Sequence, residues 1–181
     1  MPSPESPADA APPADRVQGR VACAEALRAA LLALAPPETS EHGVGNPAQP
    51  LQVWCVDHHF AAWPLEDLAV QQALAAWLRS PGRRLHFIGL DFALSARHLP
   101  RFVHWRRHHA HHIDAWRPAD DELPPGLRGL LVGATLWQWQ ETRDLQLHRI
   151  THPVQLARFR AEVADFLQRC VLAWPVTTLG L

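Results

Sequence analysis

The sequence predicts an α/β domain built on a mixed, largely parallel sheet flanked by helices. Two apolar, strand-like runs at 51–56 and 85–90 enclose a helical stripe, which is the spacing of a right-handed, parallel βαβ unit. A second strand-rich stretch leads into a C-terminal segment of helical period. Hydrophobic residues at 48% and charged residues at 19% belong to an ordinary folded protein, and 181 residues suffice for one core.

Residues 1–14 are mostly Pro, Ala, Ser and acids, too poor in apolar surface to offset their ordering entropy, and are expected to be disordered. Val17, Val21, Ala24, Leu27 and Leu31 recur at helical spacing, so 15–34 reads as an amphipathic helix stopped by Pro36-Pro37. With the flexible segment 39–50 it forms a helix and linker (15–50) ahead of the main domain, 51–181. The strand 51–56 ends at Asp57-His58-His59. Trp63-Pro64 then opens a helix with Glu66 and Asp67 at its positive end and Leu65, Leu68, Ala69, Ala73, Ala76 and Trp77 facing inward. Ser80-Pro81-Gly82 stops it, and the strand 85–90 ends at Asp91.

Pro100 starts the next helix, running to about residue 112, with Phe102, Val103, Ala110 and Ile113 inward. A short strand at 113–116 and an acidic, Pro-rich loop at 118–126 follow. Residues 130–139 and 145–150 read as two strands joined by a turn near 142–144. The last helix, 153–170, turns Leu156, Phe159, Val163, Phe166 and Leu167 inward and pairs Arg158 with Glu162 outside. The apolar stretch from Leu172 to Leu181 folds back on the body or meets a partner.

Seventeen basic against eighteen acidic residues leave a net charge of −1, so any binding of nucleic acid or an anionic surface must come from a local patch. All the basic residues are arginine; a chain without lysine has no Schiff-base lysine, no P-loop and no catalytic lysine. Cys23, Cys55 and Cys170 are far apart and odd in number, which suits buried thiols in a reducing compartment. With no apolar run of membrane-spanning length and no signal-peptide pattern at the start, a cytoplasmic protein is expected.

Two places draw attention for chemistry. On a helix His104, His108 and His111 or His112 lie one and two turns apart, the spacing of metal ligands. They share their arc with Arg101 and Arg107, opposite the apolar stripe, so a solvated, pH-sensitive face is the stronger reading and a weak anion site (Arg101, His104, Arg107, His108, His111) the middle one. Ligands also gather beyond the carboxyl ends of parallel strands, where Asp57, His58 and Asp91 stand, joined by His152 if the strand 145–150 runs the same way. Carboxylates and imidazoles there suit acid-base work or a hard metal; alternatively Asp57 and Asp91 only cap the next turns. No cofactor is expected. The eight Trp fit core packing better than base stacking.

The element order from residue 51 to about 170, with Pro100-Arg101-Phe102 opening a helix and Leu131-Val132-Gly133-Ala134-Thr135 similar to the VGSxN strand segment, resembles one half of a phospholipase D-like domain of uncharacterised bacterial proteins. Ala134 and Thr135 depart from that segment, Arg128 has no histidine at the matching place, and the HxKxxxxD motif is missing because there is no lysine. The resemblance implies a noncatalytic binding or assembly domain, pairing as a homodimer. The rival expectations are a hydrolase using Asp57, His58, Asp91 and His152, and anion or nucleic-acid binding through the Arg/His helix, which the balanced net charge makes the less favoured partner class.

Overall fold

The computed structural model describes residues 15–36, 49–140 and 145–175. The predicted tail 1–14, most of the linker 39–50 and the turn near 142–144 lie outside them. Strand β1 (Arg16–Gln18) comes first and helix α1 (Arg20–Leu32) second. Gly19, at φ 91°, makes the break between them, a backbone state that glycine adopts without strain. The helix predicted over 15–34 therefore begins at Arg20, and its buried stripe is Cys23, Leu27 and Leu31, while Val21 is 77% exposed.

Strand β2 (Gln52–Val56) leads through a 3-10 turn, Pro64–Glu66, to helix α2 (Leu68–Leu78). Asp67 caps α2 by accepting the Ala69 N–H at 2.7 Å, an arrangement typically worth about 1 kcal/mol. The stripe is again displaced from the expected one: Val70, Gln71, Ala73, Leu74, Trp77 and Leu78 are buried, and Leu68 is exposed. Strand β3 (Arg84–Ile88) pairs parallel with β2, which establishes the βαβ unit. Helices α3 (Phe92–His98) and α4 (Pro100–His108) and a 3-10 turn, Ala110–His112, cross over to β4 (Ile113–Pro118), parallel to β3.

The sheet departs from expectation after this point. Residues 130–139 are not one strand: β5 (Gly129–Val132) and β6 (Thr135–Gln140) form a hairpin that turns at Gly133-Ala134, with Gly133 at φ 56°. Strand β7 (Gln146–Ile150), helix α5 (Pro153–Leu167) and strand β8 (Cys170–Leu172) complete the chain. The eight strands of the described residues lie in the order β1-β7-β6-β5-β2-β3-β4-β8. Only β2–β3 and β3–β4 are parallel, so the sheet is mixed but mostly antiparallel rather than largely parallel. The cause is connection length: a two-residue turn reverses the chain, whereas a parallel crossover needs a dozen residues or more.

One core, on the face covered by α1 to α4, joins Leu27 and Leu31 of α1 with Val53, Leu85, Phe87, Trp77, Phe102 and Trp137. Residues 15–34 thus share the core and the sheet of the segment drawn as a separate domain from residue 51. The other core packs Leu156, Phe159, Val163 and Phe166 of α5 against Val56, Ile88, Leu131 and Leu136. Arg158 and Glu162 pair on its outer side at 2.7 Å as expected. Among the described residues no helix is long and apolar enough to cross a membrane. Cys23 and Cys55 are buried free thiols, and burial pushes both thiol pKa values up.

On the α5 face, Trp54, His86 and Asp114 are register neighbours on β2, β3 and β4. The Trp54 and His86 rings stack at 4.0 Å and 14°. His86 Nδ1 lies 3.3 Å from Asp114 Oδ2 without hydrogen-bond geometry, and both ring nitrogens lack a hydrogen-bond partner. Burial pushes the imidazole below its ordinary value of 6.5, Asp114 partly opposes this, and Arg84 adds to it. A base with a depressed folded-state pKa binds fewer protons folded than unfolded, so its contribution is complete above that ordinary value and stability falls as the pH drops below it. The urea midpoint is expected to fall from about pH 7 to about pH 5, less steeply in His86→Phe, which keeps a ring on Trp54. An identical pH slope in the variant would contradict the assignment.

Candidate functional site

At the carboxyl edge of the parallel strands, β2 delivers Asp57 into a closed network. The carboxylate, 3% exposed, accepts hydrogen bonds from the Arg128 guanidinium (2.9 and 3.1 Å), Trp63 Nε1 (2.7 Å) and the His58 backbone N–H (2.8 Å). Phe60, at φ 53° and fully buried, closes the turn that follows. The Leu90 and Asp91 N–H groups both donate to the His58 carbonyl at 3.0 Å, tying the ends of β2 and β3 together. Asp91 is exposed and caps α3 through the Leu94 N–H at 2.7 Å. Asp57 therefore anchors a turn and Asp91 caps a helix, the structural alternative weighed from sequence.

His152 does not join them. Strands β5, β6 and β7 alternate in direction away from β2, so β7 runs opposite to β2 and leaves His152 exposed at the far edge, beside the start of α5. The proposed grouping of Asp57, His58, Asp91 and His152 is split across the sheet. Among the described residues no three His, Cys, Asp or Glu side chains gather as metal ligands. Two adjoining clefts of about 470 and 390 Å³ do open at the carboxyl edge, sharing Leu90 and Asp121. Their arginines are already engaged, Arg117 with Asp121 at 2.7 Å and Arg169 with Asp120 at 3.2 Å.

The second candidate is built by α3, α4 and the turn after them. Pro100 at the first position starts α4, which turns Phe102 and Arg106 inward. The buried Arg106 guanidinium sits 4.2 Å over the Trp174 ring and donates to the Trp174 carbonyl, and burial pushes it down to about 10. With that side committed, Arg101, His104, Arg107, His108 and His111 all face solvent. His104 and His108 rings lie 5.3 Å apart, and His109 packs on Trp105 at 4.5 Å. His109 is pushed below its ordinary value by burial first and by His108, His112 and His111 next. Arg97 and His98 at the end of α3 extend the exposed face, and they were missed because no helix was expected before Pro100. The signal was present all the same: from Phe92 to Ile113 there are four Arg and six His and no Asp or Glu.

No family model matches the sequence, and no curated protein matches it. The fold defines a mixed α/β sheet protein. A solved structure shares that fold: TrmBL2, described as an archaeal chromatin protein with a novel mode of DNA binding, at a TM-score of 0.62 and 13% identity. The match covers 92% of this chain and 57% of that one, so this chain spans little more than half the length of its neighbour. The expected likeness to bacterial phospholipase D-like proteins is thereby corrected: the neighbour found is an archaeal chromatin protein. The five residues Leu131 to Thr135 that carried that likeness span the β5–β6 hairpin turn, not the inside of one strand.

Proposed function

We propose that this protein binds a polyanion, nucleic acid in the first place, through the exposed Arg/His face of α3 and α4, and that it is not a catalyst. The observation that carries this reading is the acid-free run from Phe92 to Ile113, whose exposed Arg97, Arg101, Arg107, His104, His108 and His111 concentrate charge that the balanced whole chain hides. A fold shared with a protein described as binding DNA supports it at the level of fold. The positive face lies along helix surface, where phosphate contacts position a partner without reading its sequence. Glu66 is engaged at the start of α4, its carboxylate accepting the Phe102 N–H at 2.9 Å.

Fluorescence anisotropy with a short DNA duplex tests it. The three exposed arginines predict nonspecific binding on the order of 10 μM near physiological salt, with a log K against log salt slope of about −3 at pH 8. Arg101→Ala with Arg107→Ala removes two exposed charges and should flatten the slope by about 2. Binding that ignores salt, or that the double substitution leaves unchanged, rejects the proposal.

A further inference from the structure

We infer that the cleft between Trp54 and α5 is a binding site for a planar heteroaromatic molecule bearing an anionic group, of about mononucleotide size. The cleft encloses about 530 Å³, within the range of small-molecule sites, and Pro50, Leu51, Trp54, Val163 and Leu167 give it apolar walls with Arg160 beside them. It lies on the α5 side of the sheet, whereas α4 packs on the opposite core, so it is separate from the Arg/His face and does not rest on that reading.

Trp54 is the central feature. A tryptophan in the middle of a central strand is normally sealed, as Trp137 and Trp139 are at 4% and 3% exposure. Trp54 stays half-buried in a space lined by Gly133 of the β5–β6 turn and by Arg160, Val163, Ala164 and Leu167 of α5, among which Gly133 and Ala164 have the smallest side chains. His86 stacks on one face of the indole and holds it in place, and the indole borders the cleft. A flat ring entering there extends the stack from two rings to three, and base-aromatic stacking is insensitive to which base is offered.

Arg160 defines the ligand's polar part. Arg160 donates one N–H to the Gly133 carbonyl at 2.6 Å, which fixes the guanidinium at the cleft wall. The remaining donors of its fork suit a phosphate or carboxylate. His86, 7% exposed, has two ring nitrogens without hydrogen-bond partners directly behind the indole. That ring supports the indole from behind and is not itself among the residues that line the cleft. A lipid chain or an aliphatic acid would use neither the flat wall nor the stack.

Calorimetry with the whole chain and AMP tests the site, with adenosine, inorganic phosphate and a short oligo(dA) as the other arms. AMP is expected to bind with submillimolar affinity, adenosine several-fold more weakly, and phosphate alone not measurably. Arg160→Ala, a substitution at an exposed position, should bring AMP down to the level of adenosine, and Trp54→Leu should abolish both. If AMP displaces oligo(dA) and Trp54→Leu weakens both, the base comes from a nucleic-acid strand; if oligo(dA) binding is indifferent to AMP, the ligand is a free nucleotide. No binding of AMP up to about 5 mM, phosphate binding as tightly as AMP, or affinity untouched by Arg160→Ala overturns the inference.

Discussion

Asp57→Ala is expected to destabilise the protein by about 3–5 kcal/mol, a large share of the stability of a single domain. The carboxylate is 3% exposed and receives four hydrogen bonds, two of them from Arg128, whose side chain is itself only 18% exposed. Removing it takes a carboxylate from the half-buried Arg128 guanidinium and the acceptor from the Trp63 indole N–H, and a buried donor left without its acceptor costs more than the net worth of the bond itself. Asp57→Asn keeps an acceptor for Trp63 and should lose less. Adding Arg128→Met to Asp57→Ala removes both halves of the pair and should recover part of the loss, since buried pairs replaced by apolar groups are often near neutral. Urea titration of the wild-type chain, Asp57→Ala, Arg128→Met and the double variant gives the coupling directly. A loss under about 1 kcal/mol in Asp57→Ala would mean that the network is not the anchor described.

Gly129→Ala should be comparably severe, for a reason invisible in its chemistry. A Cβ at this position would sit 2.3 Å from the Trp137 carbonyl oxygen and 3.1 Å from the Gln138 Cα, both backbone atoms of the paired strand. Backbone in the centre of a sheet cannot swing aside as a side chain can, so the β5–β6 pairing must open. A cost of about 3 kcal/mol or more is expected, a fall of roughly 10 °C in Tm for a chain of this size. Gly126→Ala is the matched control, because nothing lies within 4 Å of the Cβ it would gain. Its change should stay within about 0.5 kcal/mol. Equal Tm values for the two variants would contradict the close approach at Gly129.

Much of the parallel half was legible from local signals. β2, α2 and β3 were expected from apolar runs and from Pro and Gly punctuation, and they pair as a βαβ unit. The outward arc of α4 was legible too, because Arg101, His104, Arg107, His108 and His111 fall opposite Phe102 at helical spacing, but the burial of Arg106 in place of Val103 and Ala110, and the end of the helix at His108 rather than near residue 112, were not. The stripes of α1 and α2 were misplaced because alanine-rich helices show little contrast between their faces, leaving tertiary contacts to choose the buried one.

The sequence by itself determined which segments form the two strands and the helix of the βαβ unit, that lysine chemistry is absent, and that one helix carries an Arg/His face. Each of these follows from residue type or from spacing within a turn or two. Tertiary structure alone decided the direction of β7, the parting of His152 from Asp57, and the change of Asp57 from candidate catalyst to anchor. Its partner Arg128 is 71 residues away in the chain. The physical reason is that a two-residue turn at Gly133 reverses every strand after it, while burial and pairing depend on neighbours that only the folded sheet supplies.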